Sequence, residues 1–354
     1  MKIQNFKIET IPLKLIQPIT VTFGTIEEVE TLIIQIETDE GIHGIGEGAP
    51  FAPVTGETLE TAIPTAKQLC QSLVGKNPLN IEKIHHQMDD TIVGHTSVKA
   101  AIDIALHDIL GKKAESPLYQ LLGGYHNAFE NDMTLGIDTP ENMAHDAKRK
   151  VEEGFRVLKL KAGINVQEDI KAVKAIRKEI SDDIRLRVDA NQGWTAKEAL
   201  QYVHAVEPFH IDAIEQPLPY WNIKEMAFVR RQSPIPIMAD ETVHSPQDAI
   251  KVIQANAADI INIKLMKSGG LYKAQMINGI SEAAGLQCMV GCMLESKIGI
   301  TAGASIVAAK KNITEADMDS FLHVKDPGIN GGITIKDGII TLPEAPGLGI
   351  DMKL

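Results

Sequence analysis

The strongest constraint in this sequence is a repeat. From about residue 130 onward, short apolar runs recur, each followed by an amphipathic helical pattern. Taking one central residue per run gives Thr134, Lys159, Val188, Ile214, Met238, Ile263, Val290 and Met318, with gaps of 25, 29, 26, 24, 25, 27 and 28 residues. Eight strands at the spacing of one βα unit are what a closed (β/α)8-type barrel requires, whereas an open doubly wound sheet usually has fewer. Both are α/β folds, and the open sheet is the plainer alternative.

Ahead of the repeat the texture differs. Lys2 to Leu15 and Thr31 to Thr38 alternate in the manner of half-buried strands, and Asp39-Glu40-Gly41 reads as a hairpin turn. Helical periodicity follows over Glu57 to Leu73, Asn80 to Ile92 and Ser97 to Lys113. Strands followed by helices predict a separate α+β unit over 1–124. The barrel then spans 125–322. The segment 323–354 carries a further hairpin, Ile333 to Ile340, expected to return to the first unit.

Composition closes off several roles. With 35 Lys+Arg against 47 Asp+Glu, the net charge of −12 argues against nucleic acid, and no basic run overrides it. No stretch of 18 apolar residues predicts a membrane span, and the alternating Met1 to Lys7 segment does not read as a signal peptide. Cys70, Cys288 and Cys292 form no C-x-x-C unit and read as reduced thiols of a cytoplasmic protein.

In a barrel, the side chains at the C-terminal ends of the strands build the active site. The second run, Val157 to Lys161, ends in two lysines; the third ends in Asp189-Ala190-Asn191, the fourth in Glu215-Gln216-Pro217, and the fifth in Asp240-Glu241. The sixth closes on Lys264 and the eighth carries Asp317-Met318-Asp319. Asp189, Glu215 and Asp240 thus arrive on one rim from three successive strands. Such a cluster repels itself unless a cation sits in it, and an all-oxygen set selects a hard ion, Mg²⁺. Capping helices or pairing with surface lysines is the bland role for each acid taken singly.

Lys159 and Lys161 share a face because strand side chains have period 2. Two neighbouring ammonium groups are expected to lower each other's proton affinity, one way to make a lysine a base. Strands two and six are opposite in a ring of eight, so Lys161 and Lys264 can address one carbon from its two sides. Removing a hydrogen from one face and returning one to the other inverts a stereocentre, with the metal between them stabilising an enediolate. Asp317 and Asp319, across the mouth from strand four, suit an ammonium, so the two ends together describe a short zwitterion such as a dipeptide.

Together, the Lys-x-Lys doublet, Asp189-Ala190-Asn191, Glu215-Gln216-Pro217, Ala239-Asp240-Glu241 and Asn262-Ile263-Lys264 resemble the enolase superfamily, muconate lactonising subgroup. The similarity covers nearly the whole chain, including Leu118 to Gly124 and Ile261 to Gly270, and the Asp317-Met318-Asp319 element is similar to that of dipeptide epimerases of the L-Ala-D/L-Glu kind. The resemblance implies a modified TIM barrel, (β/α)7β, under an α+β capping domain built from both termini. It implies Mg²⁺ on Asp189, Glu215 and Asp240, acid/base roles for Lys161 and Lys264, and neutralisation of the substrate carboxylate by Lys159. Asp317 and Asp319 would take the α-ammonium. Thr134, Cys292 and Leu294 match positions lining the substrate, and Asn191 and Glu241 stand behind the metal ligands. The family favours homo-oligomers.

One position departs from the pattern. Ala-Glu epimerases place an arginine in the first capping loop, where this chain has Gly24, flanked by Phe23 and faced by Phe51 from the second loop. Without a counter-charge an anionic side chain would be poorly held, so the expected second residue of the dipeptide is neutral or apolar.

Three other functions use parts of the same residues. An N-acylamino acid racemase or o-succinylbenzoate synthase shares the lysines and metal but gives Asp317 and Asp319 no ammonium to hold. A Schiff-base lyase would use Lys161 as nucleophile and leave three carboxylates idle. A non-catalytic sugar- or peptide-binding barrel would leave the opposed lysines idle. His85-His86 read as packing or surface residues, Ser268-Gly269-Gly270 as a tight turn, and Lys267 as pointing out of the barrel.

Overall fold

The computed structural model describes residues 1–352 and Leu354. It opens with an antiparallel sheet of β1 (Ile3–Val21), β2 (Gly24–Thr38) and β3 (His43–Gly48). The first hairpin is longer than the alternation predicts. Its register breaks between Lys14 and Ile19 and resumes as Ile19↔Ile26, so the tip around Phe23 extends beyond the sheet's packed part. Helices Leu59–Leu73, Ile81–Thr91 and Thr96–Lys113 cover the sheet, within two residues of the predicted bounds.

Glycine sets the closeness of that packing. In β3 the alternate residues Gly44, Gly46 and Gly48 face helix Thr96–Lys113, and a Cβ on each would lie 2.0, 1.9 and 2.6 Å from the carbonyl oxygens of Ala105, Ala101 and Ser97. No side chain larger than hydrogen fits there.

The chain then adds the short β4 (Ala128–Glu130) and enters eight parallel strands. These are β5 (Met133–Leu135), β6 (Val157–Lys161), β7 (Arg185–Asp189), β8 (Ile211–Glu215), β9 (Ile237–Ala239), β10 (Ile260–Lys264), β11 (Gln287–Gly291) and β12 (Ile313–Asp317). They neighbour one another in chain order, as the spacing requires. The ends of the array meet: Asp132 N donates to Ala316 O at 3.4 Å and Thr134 N donates to Asp319 Oδ2 at 2.6 Å. These two bonds, rather than a β5–β12 ladder, bring the ends of the near-barrel together.

Period 2 sorts each strand between two environments. Leu158, Leu160, Leu186, Val188, Ile261 and Ile263 pack in the main core with the surrounding helices. Their alternates turn inward and include Lys159, Arg187, Glu215, Asn262 and Lys264. The apolar filling of the barrel interior is small, made of Ala213, Met238 and Met289. Below the site, the buried Arg187 guanidinium pairs with Asp132 and with Glu315 Oε2 at 3.0 Å.

The predicted C-terminal hairpin forms as β14 (Thr334–Lys336) and β15 (Ile339–Thr341), after β13 (Asn330–Gly331), which pairs with β16 (Ile350–Asp351). The hairpin pairs with β4 rather than with the N-terminal sheet. Residues after it do reach the first unit: Leu118 N donates to Gly347 O, Leu348 N to Asp108 Oδ1, and Leu354 N to Gln35 Oε1, each at 2.9 Å. Cap and barrel are also joined by Glu47 of β3, which accepts from Ser296 N, Ser296 Oγ and Gly299 N at 2.6–2.8 Å and so caps helix Lys297–Ala309. Among the described residues, no helix is long and apolar enough to cross a membrane.

Candidate active site

The carboxylates of Asp189, Glu215 and Asp240 leave the ends of three adjacent strands, all buried, with one oxygen from each within 4.8 Å of the others. Register places them there: Asp189 pairs with Glu215 across β7 and β8, and Glu215 with Met238 across β8 and β9. The chain must leave these strands sharply, and Asn191 and Gln216 adopt left-handed backbone with φ of 39° and 35°. Gln216 then holds the third acid in place, its Oε1 accepting from Asp240 N at 3.0 Å and from Thr242 N at 3.1 Å.

Ammonium groups enter the cluster from both sides. Lys159 Nζ lies 2.7 Å from Asp317, 2.9 Å from Glu215 and 3.1 Å from Asp189. Lys161 Nζ donates to Asp189 Oδ2 at 2.7 Å and Asn191 Oδ1 at 3.1 Å, and Lys264 Nζ lies 2.8 Å from Asp240 Oδ2. Lys161 and Lys264, on β6 and β10, stand four strands apart in the ring and line one pocket. A side chain at Gly291 would obstruct this arrangement, since its Cβ would lie 2.8 Å from Asn262 and 3.1 Å from Lys264 Cε.

Proton affinities follow the crowding. Burial raises Asp189, but Lys159 and Lys161 outweigh it and bring it to about 2. Burial and the neighbouring Asp189 push Glu215 up to about 7, and burial with Asp240 and Asp189 pushes Glu241 up to about 8. Burial alone would lower Lys159; the carboxylates of Asp189, Asp317 and Glu215 more than offset it and hold that lysine well above its ordinary value. Lys264 is likewise raised, mainly by Asp240 against burial. The expected mutual depression within the lysine doublet is therefore not what governs Lys159.

Three oxygen ligands without Cys or His suit a hard divalent ion. Asp240 meets the cationic groups of Lys264 and Lys267, yet neither of its oxygens is in an aligned hydrogen bond; Asn262 Oδ1 and Glu241 Oε2 are also buried without one. Lone pairs left over in an acidic cluster are the condition a bound cation would satisfy, so these residues fit Mg²⁺.

The other predicted residues converge on the same pocket. Thr134, Cys292, Leu294, Asp317, Asp319, Phe23 and Phe51 all line it. Phe23 and Phe51 meet edge to face, centroids 5.9 Å apart, and Ile19, Val21, Ile26 and Val54 extend the apolar wall. Gly24 lies beside them at the hairpin turn with φ of 128° but is not among the lining residues. Among the described residues, the cap contributes no lysine or arginine to the pocket; its one charged residue there is Glu30. Asn191 Nδ2 donates to Glu241 Oε1 at 3.2 Å, and both residues line the pocket rather than standing wholly behind the cluster.

Several residues escaped the sequence reading. Asn262 Nδ2 donates to Glu215 Oε1 at 2.7 Å; its place two residues before Lys264 on one strand was the available signal. His323 lines the pocket with Nε2 3.1 Å from Asp319 Oδ2, an i,i+4 pair visible only once a helix follows β12. Lys267 does not point out of the barrel. The chain turns helical at Leu265, which carries Lys267 back inward, fully buried, onto Asp240. His85 is a packing residue, 2.6 Å from Asp103 and stacked on Tyr272, while His86 is exposed.

A barrel with an acidic triad between opposed lysines defines a metal-assisted carbon-acid enzyme class, and comparison with known proteins agrees. Residues 5–123 match the mandelate racemase/muconate lactonizing enzyme N-terminal domain, and residues 142–354 the enolase C-terminal domain-like family. The chain belongs to the mandelate racemase/muconate lactonizing enzyme family of the enolase superfamily. It is 45% identical to a hydrophobic dipeptide epimerase of Enterococcus faecalis, over 99% of each chain. A crystal structure of the dipeptide epimerase from that organism, complexed with Mg and the dipeptide L-Leu-L-Tyr, matches with a TM-score of 0.98 at 45% identity, covering 99% of this chain and 100% of that one. An N-succinyl-L-Arg/Lys racemase of Bacillus cereus is 42% identical over 100% of this chain and 96% of its own.

Proposed function

We propose that this protein is a Mg²⁺-dependent dipeptide epimerase that inverts Cα of the C-terminal residue of an L-Xaa-L/D-Yaa dipeptide and prefers an apolar second residue. The observation that carries the reading is one pocket with Lys161 and Lys264 on opposite strands and the acidic triad between them. The relatives named as dipeptide epimerases support it.

Asp189, Glu215 and Asp240 would hold the metal. When bound, Mg²⁺ supplies positive charge beside the substrate carboxylate, where negative charge grows as Cα loses its proton. Lys159 adds a fixed ammonium to that end. Lys161 Nζ and Lys264 Nζ act on the two faces of Cα, one taking the proton and the other returning one. Asp317 and Asp319 take the α-ammonium, and Thr134, Cys292 and Leu294 flank the peptide. Asn191 and Glu241 brace Lys161 and the metal ligands. Phe23, Phe51 and the aliphatic wall enclose the second side chain, while Gly24 leaves the hairpin turn without the arginine an anionic side chain would need. Segment 1–124, tied to both ends of segment 323–354, serves as the cap over the barrel of 125–322, while the hairpin within 323–354 stays with β4. The reading includes a homo-oligomeric, cytoplasmic enzyme.

Burying a Leu or Phe side chain contributes about 1.5–3 kcal/mol, whereas an unpaired carboxylate in the same place is penalised by burial. The test is Cα deuterium exchange in D₂O with Mg²⁺ over Ala-Leu, Ala-Phe and Ala-Glu, followed by kcat/KM for each. Exchange with inversion, ranking Ala-Leu and Ala-Phe above Ala-Glu by about tenfold or more, is expected. A clear preference for Ala-Glu would overturn the specificity, and absence of exchange from every dipeptide would overturn the activity.

A further inference from the structure

Lys267 has no place in the mechanism just described. It is fully buried, does not line the pocket, and sits on the short helical turn Leu265–Ser268 that follows β10. Its ammonium donates to the carbonyl oxygens of Asp240 and, at 3.1 Å, of Asn262, and pairs with Asp240 Oδ1. Lys264 pairs with the other oxygen of the same carboxylate, Oδ2, at 2.8 Å. Asp240 is therefore shared, one oxygen to each lysine, and only Lys264 reaches the pocket.

A buried lysine is tolerated only where its charge is compensated. Here the compensation is a single carboxylate that Lys264 also uses. We infer that Lys267 is a positioning residue for Asp240: a fixed counter-cation that draws off part of that carboxylate's hold on Lys264 and moderates the attraction of the acidic triad for a divalent ion. The inference rests on the epimerase reading for its consequence on Lys264 alone. With Lys267 removed, the full charge of Asp240 falls on Lys264 and holds its Nζ at the strand end rather than at the substrate. The triad also loses one cation, so Mg²⁺ binds more tightly. A lysine that merely braced the fold would, on removal, disorder the triad and weaken metal binding, the opposite sign.

Lys267→Met tests this, with Lys267→Gln, which keeps an amide donor for the two carbonyls, carrying the same comparison should the first variant not fold. Two readouts are taken. Calorimetric titration of MgCl₂ into metal-free protein is expected to give a Kd smaller by about tenfold or more. Exchange of the Cα proton of Ala-Leu with retention of configuration, started from each epimer in D₂O, separates the two faces because each uses one lysine alone. The epimer served by Lys264 is expected to slow by about tenfold or more, and the other to stay within about threefold. Unchanged or weaker Mg²⁺ binding, or equal slowing on both faces, would overturn the inference. If the wild-type protein exchanges no dipeptide at all, the epimerase reading fails, while the calorimetry still decides the role of Lys267.

Discussion

Asp319 offers the sharpest separation between a dipeptide and an N-acylated substrate, and its hydrogen bonding makes the outcome calculable. Two groups address the same oxygen: Thr134 N donates to Oδ2 at 2.6 Å, and His323 Nε2 lies 3.1 Å from it. His323 and Thr134 together outweigh burial and hold the Asp319 carboxyl well below the usual range, so it is ionised at any working pH. In Asp319→Asn the amide oxygen must stay with Thr134 N–H, which turns the NH₂ toward the other side, donor against the incoming ammonium. Losing one charge-assisted hydrogen bond removes about 1.5–3 kcal/mol, or about 10- to 150-fold in kcat/KM for Ala-Leu. Asp317 stays paired with Lys159, and the metal triad is untouched, so Mg²⁺ affinity should not move. An N-succinyl amino acid presents no ammonium, and its turnover should change by no more than about threefold. Initial rates of both substrate classes with wild type and variant, by polarimetry or chiral chromatography, provide the readout. Equal losses on both classes, or full activity on Ala-Leu, would refute the ammonium role and favour an N-acylamino acid racemase.

Two further outcomes are expected. Chelation with EDTA should abolish Cα exchange and MgCl₂ restore it, and Mg²⁺ at 100 times its Kd should stabilise the fold by about 2.7 kcal/mol, read as a raised thermal midpoint. The buried His85–Asp103–His107 group, which joins two cap helices to Leu271 N of the barrel, should give stability a pH dependence. Burial opposes the charged forms, but each partner overrides it, lowering Asp103 and raising His107. The raised His107 contributes fully below about pH 6.5 and loses that contribution as pH rises through its folded value; the lowered Asp103 contributes above about pH 3.9 and loses it as pH falls. The stability gap between wild type and His107→Gln should therefore shrink from pH 6 to pH 9, and a gap independent of pH would count against the ion pair.

The barrel was legible because its signal is redundant: eight apolar runs fix the strand count, and six of them end in charged residues that mark the rim. The cap was less so. Alternation lapses at Ile16–Pro18, where the register of the first hairpin breaks, and resumes in Ile19-Thr20-Val21-Thr22-Phe23, whose apolar face turns to the pocket and a small cluster around Leu13 and Leu15, so the tip that brings Phe23 to Phe51 does not read as a continuation of one strand. The C-terminal hairpin announced itself by its turn, but its partner, β4, is three residues long and lies below any sequence signal. Lys267 and His323 were misjudged or missed for a shared reason. Each sits on the four-residue helix that follows a strand, Leu265–Ser268 or Ser320–His323, where the backbone has changed from period 2 to period 3.6, and a side chain's direction depends on which residue makes the change.

The lysine doublet shows where reading one strand at a time breaks down. Period 2 says which residues of β6 share a face, but a barrel interior is stacked in layers, and each layer draws on several strands at one height. Lys159 shares its layer with carboxylates from β7, β8 and β12, at 3.1, 2.9 and 2.7 Å. At an effective dielectric constant of 20, a unit pair about 3 Å apart is worth about 5 kcal/mol, and three such attractions exceed any repulsion from one neighbouring ammonium farther off. The proton affinity of a residue in such a site is set across the sheet rather than along the strand. The same reasoning covers Asp240, whose charge is divided between Lys264 of its neighbour β10 and Lys267 of the turn behind it.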